Sequence, residues 1–254
     1  MTRFKAAGIH LMLSILIVTS VLGVMFFLWY PGEYFALMGG KTLITLIGFV
    51  DVFLGPLLTF VVFKAGKKSL KFDLFCIGLV QVAALSYGTY VMFEARPVFT
   101  VFNKDRFKIS AVVDITPQEL AKAKNPKWKS FSITGSELVG ILIPDKADKE
   151  ESMFALQESD DAYRYPRLYD EYTKHQAEAV KAGKPLSELA MNNASNRLVI
   201  DNFISKKNRP ELDFLYLPIS SELAEMSAII DAKTGAFVEI INAKKIRTEV
   251  IKPS

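Results

Sequence analysis

The chain has 254 residues, half of them hydrophobic, with 19 Phe and a formal charge of +4. The apolar residues crowd into the first 94 positions; beyond them 24 Lys and Arg face 23 Asp and Glu, which excludes the basic stripe of a nucleic-acid-binding domain. A single cysteine, Cys76, excludes a disulfide framework within the chain and reads as a small apolar residue.

The first element is the run Gly8 to Tyr30, which holds no Lys, Arg, Asp or Glu and is long enough to cross a hydrocarbon core of ~30 Å. Trp29 and Tyr30 stand where an interfacial aromatic belt belongs. A cleavable signal peptide would have a shorter apolar region and a small-residue cleavage site, so this segment is expected to stay as an anchor. A second span is expected over Thr42 to Phe63 and a third over Phe72 to Phe93, stopped by Glu94, Arg96 and Pro97. Arg3 and Lys5 precede the first span, and Lys64, Lys67, Lys68 and Lys71 fill the loop between the second and third. The positive-inside rule then makes the N-terminus and that loop cytoplasmic, with residues 95–254 on the other side.

The soluble part is long enough to bury its own core. Residues 96–115 have strand composition, bent at "NKDRF", and Pro97 turns the chain away from the last membrane helix. Thr116 and Pro117 open a short helix as N-cap and first helical residue. "SFSITGSELVGILIP" is strand-like, with two short strands around Gly135 as one arrangement. From Lys146 to Lys207 the pattern becomes helical, with one helix starting at Pro166 and ending near Gly183, and another opened by Pro185 and Ser187. "LDFLYLPI", "LAEMSAIID" and "GAFVEIIN" return to strands, the last two joined by a turn at Gly235. The expected fold class is a membrane protein: three N-terminal transmembrane helices (residues 1–94) followed by an α+β soluble domain (95–254).

Catalytic and cofactor signatures are missing from the sequence. His10 and His175 fit no metal-ligand spacing, and the chain has no phosphate-binding loop or nucleophile elbow. No cofactor or metal is expected, and the chain reads as a non-enzyme. Tyr165, Tyr169 and Tyr172 share one face of the expected helix at i, i+4 and i+7. With Arg164 and Arg167 beside them they form a docking face, or else pack on the domain's own sheet.

Asp51 is the most informative residue, because a carboxylate inside a span costs ~2.5–3.5 kcal/mol to insert. An intramembrane aspartyl protease needs two carboxylates sharing a proton. Asp73 is the one other acidic residue inside an expected span, and it starts the third span ~15 Å away in depth. The depths of Thr19, Ser20, Asp51 and Gln81 match, so these four are expected to hydrogen-bond across helices at ~0.6–2 kcal/mol each, or to meet the helix of another protein. Thr19 with Gly23, and Ala84 with Gly88, are small pairs that permit close helix approach. Gly55 and Pro56 should kink the second span and free carbonyls that need partners.

Two stretches together carry a resemblance. "FVDVFLGPLLTFVVFK", with Val50, Asp51, Leu54, Gly55, Pro56, Leu57, Leu58 and Thr59, is followed after the third span by "EARPVFTVFNKDRFKI", with Arg96, Pro97, Val98, Phe102, Asp105, Arg106 and Phe107. The combination resembles the TfpX/TfpZ family of type IV pilin accessory proteins, which includes FimB-like fimbrial proteins. The resemblance implies a multi-pass protein of the bacterial inner membrane with a periplasmic C-terminal domain. It implies a chaperone-like role on type IV pilin, affecting pilin stability, pilus assembly or the retraction behind twitching motility. The implied partners are the major pilin, other pilus-assembly membrane proteins and the lipid bilayer, not nucleic acid. A pilin awaiting assembly exposes one hydrophobic helix with an acidic residue and a periplasmic head, which a polar-cored bundle and a soluble domain could hold together. A proton-linked membrane protein using Asp51 and a general envelope scaffold are the competing readings.

Overall fold

A computed structural model of the chain describes residues 2–142, 160–191 and 193–244. It divides into two compact units, residues 1–96 with 133–135, and residues 97–132 with 136–254.

In the first unit, Thr2 caps helix α1, Arg3–Val24, by accepting from the Lys5 amide, and the helix continues through a π-helical turn, Met25–Trp29. A short helix, α2, spans Tyr34–Leu37. The middle apolar segment is helical from Gly40 to Val62 but irregular: α3, Gly40–Gly48, a π-helical turn, Phe49–Leu54, and α4, Gly55–Val62. Helix α5, Leu70–Glu94, completes the unit. Two helices, Arg3–Trp29 and Leu70–Glu94, are long and apolar enough to cross a membrane, so two of the three expected spans meet that test. The middle one yields only the shorter apolar helix Phe49–Val62. At one end of the unit the buried Tyr30 hydroxyl donates to the Met92 carbonyl at 2.6 Å, tying the end of the first helix to the end of the last.

The second unit is α+β. Its strands are β1, Pro97–Asn103; β2, Arg106–Ala111; β3, Glu137–Ile141; β4, Tyr169–Glu171; β5, Lys184–Pro185; β6, Phe214–Ser220; β7, Glu225–Asp231; and β8, Phe237–Ile241. They form one sheet in the order β4-β3-β1-β2-β6-β7-β8, with β5 beside β6. The β1–β3 and β2–β6 pairs are parallel. The "NKDRF" bend is a tight hairpin pairing Asn103 with Arg106 and Phe102 with Phe107, turned by Lys104 at φ 58. Helix α6, Pro117–Ala121, begins as the sequence predicts, with the Thr116 side chain accepting from the Glu119 amide.

Helices α8, Leu186–Ala190, and α9, Ala194–Lys207, bury Leu186, Leu189, Ile200 and Phe203 against Phe214, Tyr216 and Ile229 of the sheet. A second core gathers Phe99, Trp128, Leu168 and Tyr169.

Two expectations fail here. Around Gly135, at φ 67, the chain does not form a first strand; the strand there starts at Glu137. The helix expected from Pro166 to Gly183 shrinks to α7, Gln176–Ala182, because Tyr169–Glu171 is instead recruited as β4 onto Val139–Ile141 of β3. Non-local strand pairing overrides the local helical spacing. Residues 146–159 of the expected helical stretch lie outside the described residues.

The turn between β7 and β8 is held by Asp231. One carboxylate oxygen accepts from the amides of Lys233 and Thr234 at 3.0 and 2.9 Å, and the other from Arg209 at 2.9 Å. Gly235, at φ 72, completes the turn against the Gln176 carbonyl, where a Cβ would lie 2.3 Å away. The Thr234 amide and Arg209 hold the Asp231 carboxyl down at about 2. Its folded value lies below the ordinary ~3.9, so its stabilisation is complete above pH ~4 and is lost as the pH falls towards ~2. Asp231→Asn should therefore lower the denaturant midpoint of the full chain in detergent at neutral pH. It should also flatten the acid limb of the stability profile between about pH 4 and 2, read by near-ultraviolet circular dichroism.

Candidate functional site

The site is built from a backbone fault. In an α-helix the carbonyl of Asp51 would accept from the amide of Gly55, but that amide donates one residue further back, to Val50. In this wider π register the Asp51 carbonyl would look to residue 56, which is a proline and has no N–H. The orphaned carbonyl is taken over by a neighbour: Gln81 Nε2 of α5 donates to it at 3.2 Å. The approach is open because residue 55 is glycine; a Cβ there would lie 1.9 Å from Gln81 Nε2. Gly55, Pro56 and Gln81 are all buried, and they form one device that replaces a missing helical hydrogen bond.

The Asp51 carboxyl lies beside the same Gln81 amide but leaves one oxygen over. It is 5% exposed, and its Oδ2 is buried with no hydrogen-bond partner among the described residues. It borders two concavities of the first unit. One, of about 190 Å³, is lined by His10, Ser14, Asp51 and Gln81 among apolar residues that include Ile17, Val82 and Leu85. The other, of about 380 Å³, is a groove between the middle helix and α5, lined by Ile47, Val50, Asp51, Ala84, Tyr87, Gly88 and Val91.

Thr19 and Ser20 do not join this cluster, contrary to the sequence expectation. Both are exposed, and Ser20 donates into its own helix, to the Leu16 carbonyl. Matching depth fixes height along a helix but not direction around it. The buried face of α1 runs through Ala6, Ser14, Val18 and Met25, and Thr19 and Ser20 lie ~100° and ~200° around from Val18. Gly23 likewise faces open space, whereas Gly88 does bring α5 close, a Cβ there lying 2.9 Å from Ile47. The polar residues that do reach the interior are Ser14, His10 and Thr59, the last two within 2.6 Å of each other. The signal for them was present: His10 and Ser14 are four residues apart on the Ala6–Val18 stripe. Asp73 stands apart, paired with Lys67 at 2.7 Å near the start of α5.

The motif after the last membrane helix has local structural duties. The Arg96 guanidinium donates to the Phe93 carbonyl at 2.6 Å and stacks on its ring at 3.7 Å, satisfying a carbonyl at the negative end of α5. Pro97 begins β1. Asp105 and Arg106 form a two-point ion pair at the hairpin tip, at 2.9 and 3.2 Å, which holds the Asp105 carboxyl below its usual range. Phe107 is fully buried against Phe102, Tyr172 and Phe237.

The tyrosine docking face is also corrected. Tyr169 and Tyr172 are 2% and 4% exposed, and Tyr165 is half-buried. The three stand on no common helix. Tyr169 packs on Phe99 and Trp128 and donates to the Tyr163 carbonyl, while the Tyr172 hydroxyl donates to the Gly235 carbonyl at 2.7 Å. Their role is core packing with satisfied hydroxyls.

Comparison with known proteins agrees with the motif. The family described as "Fimbrial assembly protein FimB" matches residues 1–39. A fimbrial assembly protein of Dichelobacter nodosus, serogroup E1, is 33% identical over 89% of this chain and 90% of its own length. The chain belongs to the FimB family of fimbrial assembly proteins. The serogroup I protein of the same organism is 31% identical over 89% of this chain and 90% of its own length. That of serogroups C1 and C2 is 40% identical over 47% of this chain and 92% of its own length. No solved structure matches.

For this FimB-family chain the glycine at 55 makes a contrast with the glycine at 78, where an added Cβ meets nothing within 4 Å. Gly55→Ala should displace the Gln81 amide and leave a buried carbonyl unpaired, a loss of roughly 1–3 kcal/mol. Gly78→Ala should be neutral or slightly stabilising. Thermal midpoints of the two full-length variants in detergent check this: Gly55→Ala falls by several degrees and Gly78→Ala does not.

Proposed function

We propose that this protein is an inner-membrane accessory factor of type IV fimbriae that binds pilin and modulates its stability, its assembly or its retraction. Membership of the FimB family along 89% of the chain carries the reading, because the relatives are fimbrial assembly proteins. The proposed topology has three spans, with the irregular helix 40–62 as the second. The cations before α1 and in the 64–71 loop then lie in the cytoplasm, and the α+β unit lies in the periplasm. A π turn with a proline is compatible with a membrane setting, since Gln81 supplies the donor that water would supply elsewhere. The role is chaperone-like and involves no catalytic step. The membrane helices hold the pilin helix, and the periplasmic unit recognises its head.

Two measurements test this. A phosphatase reporter fused after residue 96 should be active in the periplasm and one fused after residue 66 inactive; the opposite pattern overturns the topology. Full-length tagged protein solubilised in mild detergent should bring down the cognate pilin, and deletion of the gene should change the number of surface pili. Failure to recover pilin, with unchanged piliation, would overturn the function.

A further inference from the structure

We propose that the groove beside Asp51 seats one transmembrane helix of a partner, and that this helix presents a hydrogen-bond donor to the Asp51 carboxyl. The inference rests on the pilin-binding reading and adds which face of the bundle is used and by what chemistry.

Three observations combine. The groove runs along helix axes: span three contributes Ala84, Tyr87, Gly88 and Val91, an i, i+3, i+4, i+7 stripe, and the middle helix contributes Ile47, Val50 and Asp51, an i, i+3, i+4 stripe. Its floor is where Gly88 meets Ile47, so the two helices are close there and their outer surfaces form a trough. An elongated apolar trough fits either a helix or a lipid acyl chain.

The carboxyl separates these two occupants. Asp51 Oδ2 is buried with no partner among the described residues, even though Gln81, which donates to the residue-51 carbonyl, also stands beside the carboxyl. A buried acceptor without a donor is costly, most of all in hydrocarbon. An acyl chain has no donor and leaves that cost in place. A helix carrying a hydroxyl, amide, protonated carboxyl or amine at this depth removes it once the carboxyl rotates into the groove that Asp51 lines, and fills the trough with apolar neighbours. Because the unmet demand is for a donor, specificity comes from matching its depth along the partner helix.

The test places a photo-crosslinking residue at Tyr87, on the groove and 71% exposed, or at Ser86, exposed and ~100° around the same helix. Full-length protein is used, in cells expressing the cognate pilin, and adducts are mapped by mass spectrometry. Position 87 should give adducts with the membrane helix of pilin, and position 86 should not. Asp51→Leu should cut the adduct at 87 by about tenfold at unchanged protein abundance, and Asp51→Asn, which keeps an acceptor, should preserve it. Equal adducts at 86 and 87, adducts with lipid or a second copy alone, or indifference to Asp51→Leu would overturn the inference. If pilin co-purifies with the chain yet never crosslinks at 87, the groove assignment fails while the pilin-binding reading stands. If pilin neither co-purifies nor crosslinks, both fail.

Discussion

One hydrogen bond organises the helical unit: the Gln81 amide donating to the carbonyl of Asp51. Pro56 cannot supply an N–H, and the π register at Phe49–Leu54 moves the Gly55 amide onto Val50, so the Asp51 carbonyl has no partner within its own helix. In a low-dielectric setting such a carbonyl must be satisfied from outside the segment. That requirement sets the contact between the middle helix and α5 and demands a residue without a Cβ at position 55. It also gives the sequence Val50-Asp51-Val52-Phe53-Leu54-Gly55-Pro56 a mechanical meaning: the glycine and the proline belong to the same joint as a glutamine 25 residues further on.

The joint leaves one oxygen of the Asp51 carboxyl over. A buried carboxyl is costly to place, and no described residue donates to its Oδ2. The one carboxylate oxygen left without a donor is the observation on which the proposed partner contact rests. Of the Thr19–Ser20–Asp51–Gln81 cluster that depth matching suggests, the Asp51–Gln81 contact forms and Thr19 and Ser20 stay outside it. The second stretch of the family motif looks different: it is absorbed by structure, with Arg96 capping α5, Asp105 and Arg106 pairing at a hairpin and Phe107 filling the core of the α+β unit.

Much of this was legible in the sequence where local physics decides. The strands expected over "LDFLYLPI" and "LAEMSAIID", the Thr116–Pro117 cap and the turn at Gly235 all reappear. The expectation that the Gly55-Pro56 pair frees carbonyls in need of partners points directly at the joint. What failed depended on relations between distant segments. Tyr165, Tyr169 and Tyr172 satisfy helical spacing, yet β3, some 30 residues earlier, claims Tyr169–Glu171 as a strand. Thr19 and Ser20 have the right depth but the wrong azimuth, and only the packing of α1 distinguishes them from Ser14 and His10. The irregularity of the middle helix extends over Asp51 itself, because the chain absorbs Pro56 by widening the preceding turn rather than by a simple bend.

The central claim is that Gln81 stands in for the donor that Pro56 lacks. A double-mutant cycle of Pro56→Ala and Gln81→Leu, with unfolding free energies measured for the full chain in lipid–detergent micelles, tests it most directly. An alanine at 56 restores an N–H, so Gln81→Leu should cost roughly 1–3 kcal/mol less in the Pro56→Ala background than in the native one. Additive effects, with no coupling between the two positions, would contradict the account.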